Sequence, residues 1–111
     1  MGRSGLTAPG SWCDRTVTMA PTEDPLDLLA HALADPIRRS LWTGIGRRPG
    51  ATTAELADAH PQVTRWAVMK HLAVLRRAGL IQTLPEGRRR RHYRDPRALG
   101  PLTAWIAANG G

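Results

Sequence analysis

Residues 51–94 read ATTAELADAHPQVTRWAVMKHLAVLRRAGLIQTLPEGRRRRHYR, and the order of elements in this stretch decides the fold. Thr52 and Glu55 form a Thr-x-x-Glu capping box, which predicts a short helix over 52–59 with Leu56 as its main core contact. His60-Pro61 breaks the chain. Thr64 is a good N-cap for a second helix over 64–79, in which Val68, Leu72 and Leu75 fall on one stripe. Gly79 stands where a helix end wants positive φ, and Leu80 follows as its apolar contact. An apolar strand over 80–84, a Pro85-Glu86-Gly87 turn and a run of five basic or near-basic positions, Arg88 to His92, complete the stretch.

Working outward, three Asp-Pro pairs punctuate the rest: Asp24-Pro25, Asp35-Pro36 and Asp95-Pro96. Each fits a helix start, because Asp accepts from free backbone N–H groups and Pro at the first helical position loses no hydrogen bond. They predict helices over 25–34, 36–46 and 96–108. The first would bury Leu26, Leu29, Ala30 and Leu33, the second Ile37, Leu41 and Ile45, and the last carries Leu99, Leu102, Trp105 and Ile106. The sum is a mainly α architecture of about five helices with a small β-hairpin wing, which is the winged helix-turn-helix order.

A chain of 111 residues has room for one domain. With 41% hydrophobic and 23% charged residues it is not compositionally disordered. We expect a disordered tail over 1–21, rich in Gly, Ser, Thr and Pro, and a single folded domain over 22–109. Residues 1–20 show no apolar core of a signal peptide, and Met19, just ahead of the helical part, is a candidate translation start. No apolar run reaches the length of a membrane span, and the lone Cys13 permits no internal disulfide. The single cysteine makes the reducing cytoplasm the expected compartment. Nothing supports a low thiol pKa for a redox role at Cys13.

The net charge of +7 favours a polyanionic partner, although an arginine-biased composition alone would also produce it. The distribution says more than the total. Fourteen of the sixteen basic residues, but only four of the nine acidic ones, lie from residue 36 onward, in the part that holds the motif.

Stepping 100° per residue from Val68 places Trp66, Lys70, Ala73 and Arg77 on the exposed face of the 64–79 helix, with Met69 at its edge. Arg65 and His71 lie on the flanks, about 60° from the buried centre. Exposing Thr64, Arg65, Trp66, Met69 and Lys70 suits entry into a major groove, where Arg or Lys meets guanine and an apolar group meets the thymine methyl. The bland alternative is a basic surface helix. Trp66 must in any case touch DNA, the wing or another chain, and His71 suits packing better than base contact. Arg88, Arg89, Arg90 and Arg91 suit phosphate clamping rather than base reading, and strand alternation forbids all of them from following one phosphate track.

The stretches Ala32 to Arg39 (ALADPIRR), Thr53 to Ala57 (TAELA), Ala67 to Ile81 (AVMKHLAVLRRAGLI) and Glu86 to Arg90 (EGRRR) together resemble the ArsR/SmtB family of bacterial winged-helix repressors, over about residues 25–108. The resemblance implies a homodimer paired through the first and last helices. Here that means Leu26, Leu29, Leu99, Leu102, Trp105 and Ile106. It also implies an inverted-repeat operator in double-stranded DNA, with contacts from the start of the recognition helix and from the wing. Family metal sensors carry Cys-x-Cys in the helix matching 53–59, or a carboxylate and histidines in the last helix. This chain has neither, and His31, His60, His71 and His92 show no metal-site spacing. Neither metal nor cofactor is therefore expected, and any small-molecule effector is unknown. Trp66 and Met69 stand where the family commonly has small residues. The Val-Met-Lys-His-Leu variant is similar to members associated with a hydrophobic-ligand-binding partner domain, which these residues do not include.

An enzyme has little support: the sequence offers no Ser/His/Asp or Cys/His constellation, phosphate-cradling glycine loop or carboxylate pair. The competing reading is a winged helix that binds a protein partner or RNA through Trp66 and Met69.

Overall fold

The computed structural model describes residues 24–110. The expected N-terminal tail and Cys13 lie outside the described residues. Helix α1 (Pro25–Leu33) and helix α2 (Pro36–Arg47) each begin at an Asp-Pro pair. Asp24 accepts from the Leu26 N–H at 2.8 Å, and Asp35 accepts from Ile37 and Arg38 at 2.7 and 3.2 Å. Arg38 and Arg39 then reach back to the end of α1. Arg38 Nε donates to Ala32 O at 2.7 Å and its Nη2 to His31 O at 2.9 Å, while Arg39 Nη1 donates to Leu33 O at 2.6 Å. The Asp-Pro-Ile-Arg-Arg stretch thus caps the start of one helix and the open carbonyls of the helix before it.

Strand β1 (Ala51–Thr52) leads directly into helix α3 (Thr53–Asp58), and helix α4 (Arg65–Arg77) follows. The capping box at Thr52 and Glu55 is formed in both directions. Helix α4 starts at Thr64, which accepts from Ala67 N–H at 3.0 Å. It ends in a Schellman motif: Leu80 N–H donates to Leu75 O and Gly79 N–H to Arg76 O, both at 3.0 Å, with Gly79 at φ +78°. Strands β2 (Ile81–Glu86) and β3 (Arg89–Arg94) form the wing, turning at Gly87 with φ +62°. Helix α5 (Gly100–Asn109) closes the described chain. The sheet runs β1-β3-β2, antiparallel throughout, with His92 opposite Ala51 on one side and Thr83 on the other.

One core unites Leu29 and Ala32 of α1, Leu41 and Ile45 of α2, Leu56 of α3, Val68, Leu72 and Leu75 of α4, and Leu80 and Ile81. It matches the expected stripes except in α1, where Ala30 is exposed and Ala32 is buried. No helix among the described residues is long and apolar enough to cross a membrane.

Two expectations are corrected and one strand is additional. The last helix starts at Gly100 rather than at Pro96. Asp95 is tied to the sheet, its N–H donating to Leu80 O at 3.1 Å, and its carboxylate accepts from Arg97 N–H at 2.9 Å and Gln82 Nε2 at 3.2 Å. Its capping capacity therefore closes a single turn that lays Ala98 onto the core. The hairpin turn is also tighter than expected, because Pro85 and Glu86 remain in β2, paired with Arg90 and Arg89. Finally, β1 was not anticipated: a strand of two residues cannot carry an alternation, and Thr52 serves it while capping α3.

Candidate nucleic-acid interface

The exposed half of α4 and the wing face one another across a cleft of about 430 Å³. Arg65 and Met69 line it from α4, Arg88 to Arg91 from the wing, and residues 52–55 from the start of α3. A second hollow of about 280 Å³ shares Thr53, Met69 and Arg90 with the first and adds Leu72, Arg76 and His92. One groove therefore runs between α4 and the wing. Arg76 at its far end was not among the sequence candidates. The signal was available, since residues 65, 69, 72 and 76 form one helical column.

Arg65, Arg88, Arg89 and Arg90 are exposed and make no side-chain hydrogen bond or ion pair among the described residues. Arg91 differs. Its Nε donates to Glu86 Oε1 at 2.7 Å and its Nη1 to Gly50 O at 2.9 Å. The hydrogen bond and the charge of Glu86 hold this guanidinium above its ordinary pKa. Arg91 thus braces the wing against the loop before β1, and three wing arginines stay uncommitted. Of the remaining α4 candidates, Trp66 is 66% exposed and Met69 53%, and the Lys70 ammonium lies 4.7 Å from the centre of the Trp66 ring. Thr64 is occupied as the N-cap. His71 is half-buried with Nδ1 3.4 Å from Arg38 Nη1, so it turns toward α2 rather than outward.

His92 departs most from the basic positions that flank it. It is 1% exposed, because strand alternation turns positions 90, 92 and 94 toward the helices. Its Nδ1 lies 2.9 Å from Thr83 Oγ1 and its Nε2 2.9 Å from Thr53 Oγ1. In the neutral ring one nitrogen donates and the other accepts, which two hydroxyls can satisfy. Burial, with the nearby charges of Arg76 and Arg90, pushes the His92 pKa down from its ordinary 6.5. The clasp pins both wing strands to the start of α3, directly beneath the groove. At the wing's other end the Arg94 guanidinium stacks on Trp42 with Cζ 3.5 Å from the ring centre, and Trp42 Nε1 donates to Leu80 O at 3.1 Å. Trp42 also escaped the sequence reading, since it lies off the α2 stripe that periodicity picks out.

Of the expected pairing residues, Trp105 and Ile106 are each 51% exposed, Leu99 is exposed, and Leu26 and Leu102 are half-buried. Leu29 is corrected: at 1% exposure it lies in the chain's own core and offers little to a partner. Among the described residues, no three His, Cys, Asp or Glu side chains come together as a metal site.

Residues 33–83 match a family model described as a helix-turn-helix domain. The chain is 42% identical over 72 residues to the HTH-type transcriptional regulator Rv2034 of Mycobacterium tuberculosis (strain ATCC 25618 / H37Rv); the match spans 65% of this chain and 65% of that regulator's length. The crystal structure of an ArsR family transcriptional regulator superposes with a TM-score of 0.71 at 32% identity, covering 83% of this chain and 93% of the other. An ArsR-like transcriptional regulator from Rhodococcus sp. RHA1 gives a TM-score of 0.68 at 29% identity, covering 78% and 79%.

Proposed function

Since the chain belongs to the ArsR family of winged helix-turn-helix transcriptional regulators, we propose that it is a homodimeric repressor that binds an inverted-repeat operator in double-stranded DNA. The observation that carries this reading is the groove between α4 and the wing, where Arg65, Arg88, Arg89 and Arg90 converge without partners among the described residues. Unpaired cations at that density suit a phosphate backbone, whose condensed counterions they release. Arg65, Trp66, Met69 and Lys70, at the exposed start of α4, suit contact with base edges in a major groove. Arg88 to Arg90, with Arg76, hold the flanking backbone and set register rather than sequence.

Dimerisation supplies the second half-site. Exposed Trp105 and Ile106 of α5 and Leu99 just ahead of it, with half-buried Leu26 of α1, are the apolar residues that suit a second copy, and residues 22–109 would act as one DNA-binding and dimerisation unit. Aromatic anchors with an aliphatic surround are typical of interface centres.

The test is a fluorescence-anisotropy titration of the protein against the duplex upstream of its own gene and against a shuffled duplex, at several salt concentrations. The expected result is tighter binding to the native duplex, two chains per site, and log K falling with log salt by about 0.9 per neutralised phosphate. Lys70→Ala and Arg65→Ala should each weaken native-duplex binding more than shuffled-duplex binding, by about 1–3 kcal/mol for a base contact. Equal losses on both duplexes would demote these residues to backbone contacts. No binding to either duplex would favour the second reading, a protein or RNA partner seated on Trp66 and Met69, which their exposure supports.

A further inference from the structure

We infer that Trp66 and Met69 form an apolar pad that takes thymine C5-methyl groups in the major groove, making them the residues that set which base the recognition helix prefers. The inference rests on the DNA-binding reading above and deepens it.

Helix α4 presents two neighbouring columns at i, i+4 spacing, Arg65 with Met69 and Trp66 with Lys70. Each column joins one cation to one apolar tip. Met69 and Arg65 line the cleft beside the wing arginines; Trp66 and Lys70 lie one column further round. The cations fix the chemistry of the occupant. Among the described residues Arg65, Arg88, Arg89 and Arg90 make no side-chain hydrogen bond or ion pair, so a polyanion is favoured over an apolar protein surface.

A polyanion offers few apolar groups. In a duplex the base faces are stacked and hidden, and the thymine methyl is the apolar group that the major groove exposes. Exposures of 66% for Trp66 and 53% for Met69 leave both tips available to it. The pad is also held in place: the Lys70 ammonium, 4.7 Å from the Trp66 ring centre, restricts the ring before DNA arrives. One ring face is then taken by the cation, and the edge and opposite face remain for a methyl. Lys70 beside the pad suits a guanine next to that thymine.

The experiment begins by selecting duplexes from a random library with the full-length protein. In the best duplex each thymine is then replaced by deoxyuridine, which removes the methyl and leaves every hydrogen-bonding group. Wild-type protein should lose about three- to fourfold in affinity at one or two thymines of each half-site. At those positions Trp66→Ala or Met69→Ala protein should bind the thymine and deoxyuridine duplexes equally, the mark of a direct coupling. Both residues are surface-exposed, so circular dichroism should show the variants folded. If deoxyuridine is tolerated everywhere while the duplex still outcompetes a shuffled one, methyl reading is overturned and DNA recognition stands. If deoxyuridine costs the same in both variants as in wild type, other residues take the methyls and the inference is also overturned. If no duplex is enriched, the DNA-binding reading fails first and this one with it.

Discussion

Helices α4 and α5 are both rich in apolar residues, and the chain treats them in opposite ways. Helix α4 buries Val68, Leu72 and Leu75 in one stripe, starts at a Thr64 cap and ends in a complete Schellman motif. Helix α5 has no fully buried residue, and Leu99 at its start makes no side-chain cap. Its apolar side chains point around the axis, with Trp105 and Ile106 half in solvent while Leu102 packs on the core. The buried stripe of α4 and both its ends are completed within its own chain. Helix α5 leaves its largest side chains uncovered, and covering a side chain of that size is worth about 1.5–3 kcal/mol. The comparison teaches that apolar residues in a helix can complete a fold or leave a surface for a partner, according to whether they share a stripe.

The strongest attempt to break this contrast is Leu72→Ala. Removing a buried leucine from α4 should cost about 2–5 kcal/mol of unfolding free energy in urea titrations. A loss below about 1 kcal/mol would mean the core tolerates the gap and α4 is less self-sufficient than its packing shows. Trp105→Ala addresses the other helix. If a second copy covers α5, the dimer should weaken by about 2 kcal/mol, roughly thirtyfold in dissociation constant, in sedimentation equilibrium. A variant as dimeric as wild type would remove α5 from the interface.

The two helices were also unequally legible in the sequence. The signals of α4 are local: a capping Thr64, one stripe, and Gly79 where the backbone must turn to positive φ. Its exposed candidates Trp66, Met69 and Lys70 follow from the same periodicity, whereas Arg65 falls on a flank and is exposed because it opens the helix. The start of α5 was misplaced because Asp95-Pro96 looks identical to Asp24-Pro25 and Asp35-Pro36. The difference is tertiary, since the Asp95 N–H is held by Leu80 O at 3.1 Å. Arginines show the same limit. Arg38 and Arg39 close the end of α1, Arg91 is paired with Glu86, and Arg89 and Arg90 have no ion pair among the described residues. Residue type and spacing do not distinguish these jobs, because each depends on which carbonyl or carboxylate the fold brings near. His92 could have been found by alternation along β3, but the flanking arginines concealed an inward-facing position.

The His92 clasp makes the junction of the wing with α3, beneath the groove, sensitive to pH. Its folded pKa lies below the ordinary 6.5, so the unfolded chain binds this proton more readily. The contribution is fully present above pH 6.5 and declines as pH falls below it, with a slope of at most about 1.4 kcal/mol per pH unit for one proton. Asp35, Glu55 and Asp95 do not confuse the window. Burial pushes the Asp35 carboxyl up, but N–H groups of Arg38 and Ile37 bring it below its ordinary 3.8. Glu55 and Asp95 are lowered chiefly by the N–H groups of Thr52 and Arg97. Their contributions are lost only at more acid pH, near and below about 4. Thermal melts between pH 5 and 8 should therefore show a decline on the acid side that His92→Gln flattens. A wild-type profile flat across that range would mean the clasp accepts a proton without loss.

The smallest effect separates the wing's two kinds of arginine. Arg90→Gln should reduce the magnitude of the salt slope of DNA binding by about 0.9 for each chain on the duplex, because an unpaired cation leaves a phosphate contact. Arg91→Gln alone is a poor control, since it also releases the Glu86 carboxylate that Arg91 holds at 2.7 Å. The informative partner is Glu86→Gln combined with Arg91→Gln, which deletes both members of the ion pair. That double variant should leave the salt slope where it was, as a pair that neutralises itself releases no counterion from DNA. A reduction as large as that of Arg90→Gln would show that Arg91 exchanges Glu86 for a phosphate on binding. The bracing contact would then be a resting position, and the wing would hold one more cation for DNA than its free geometry shows.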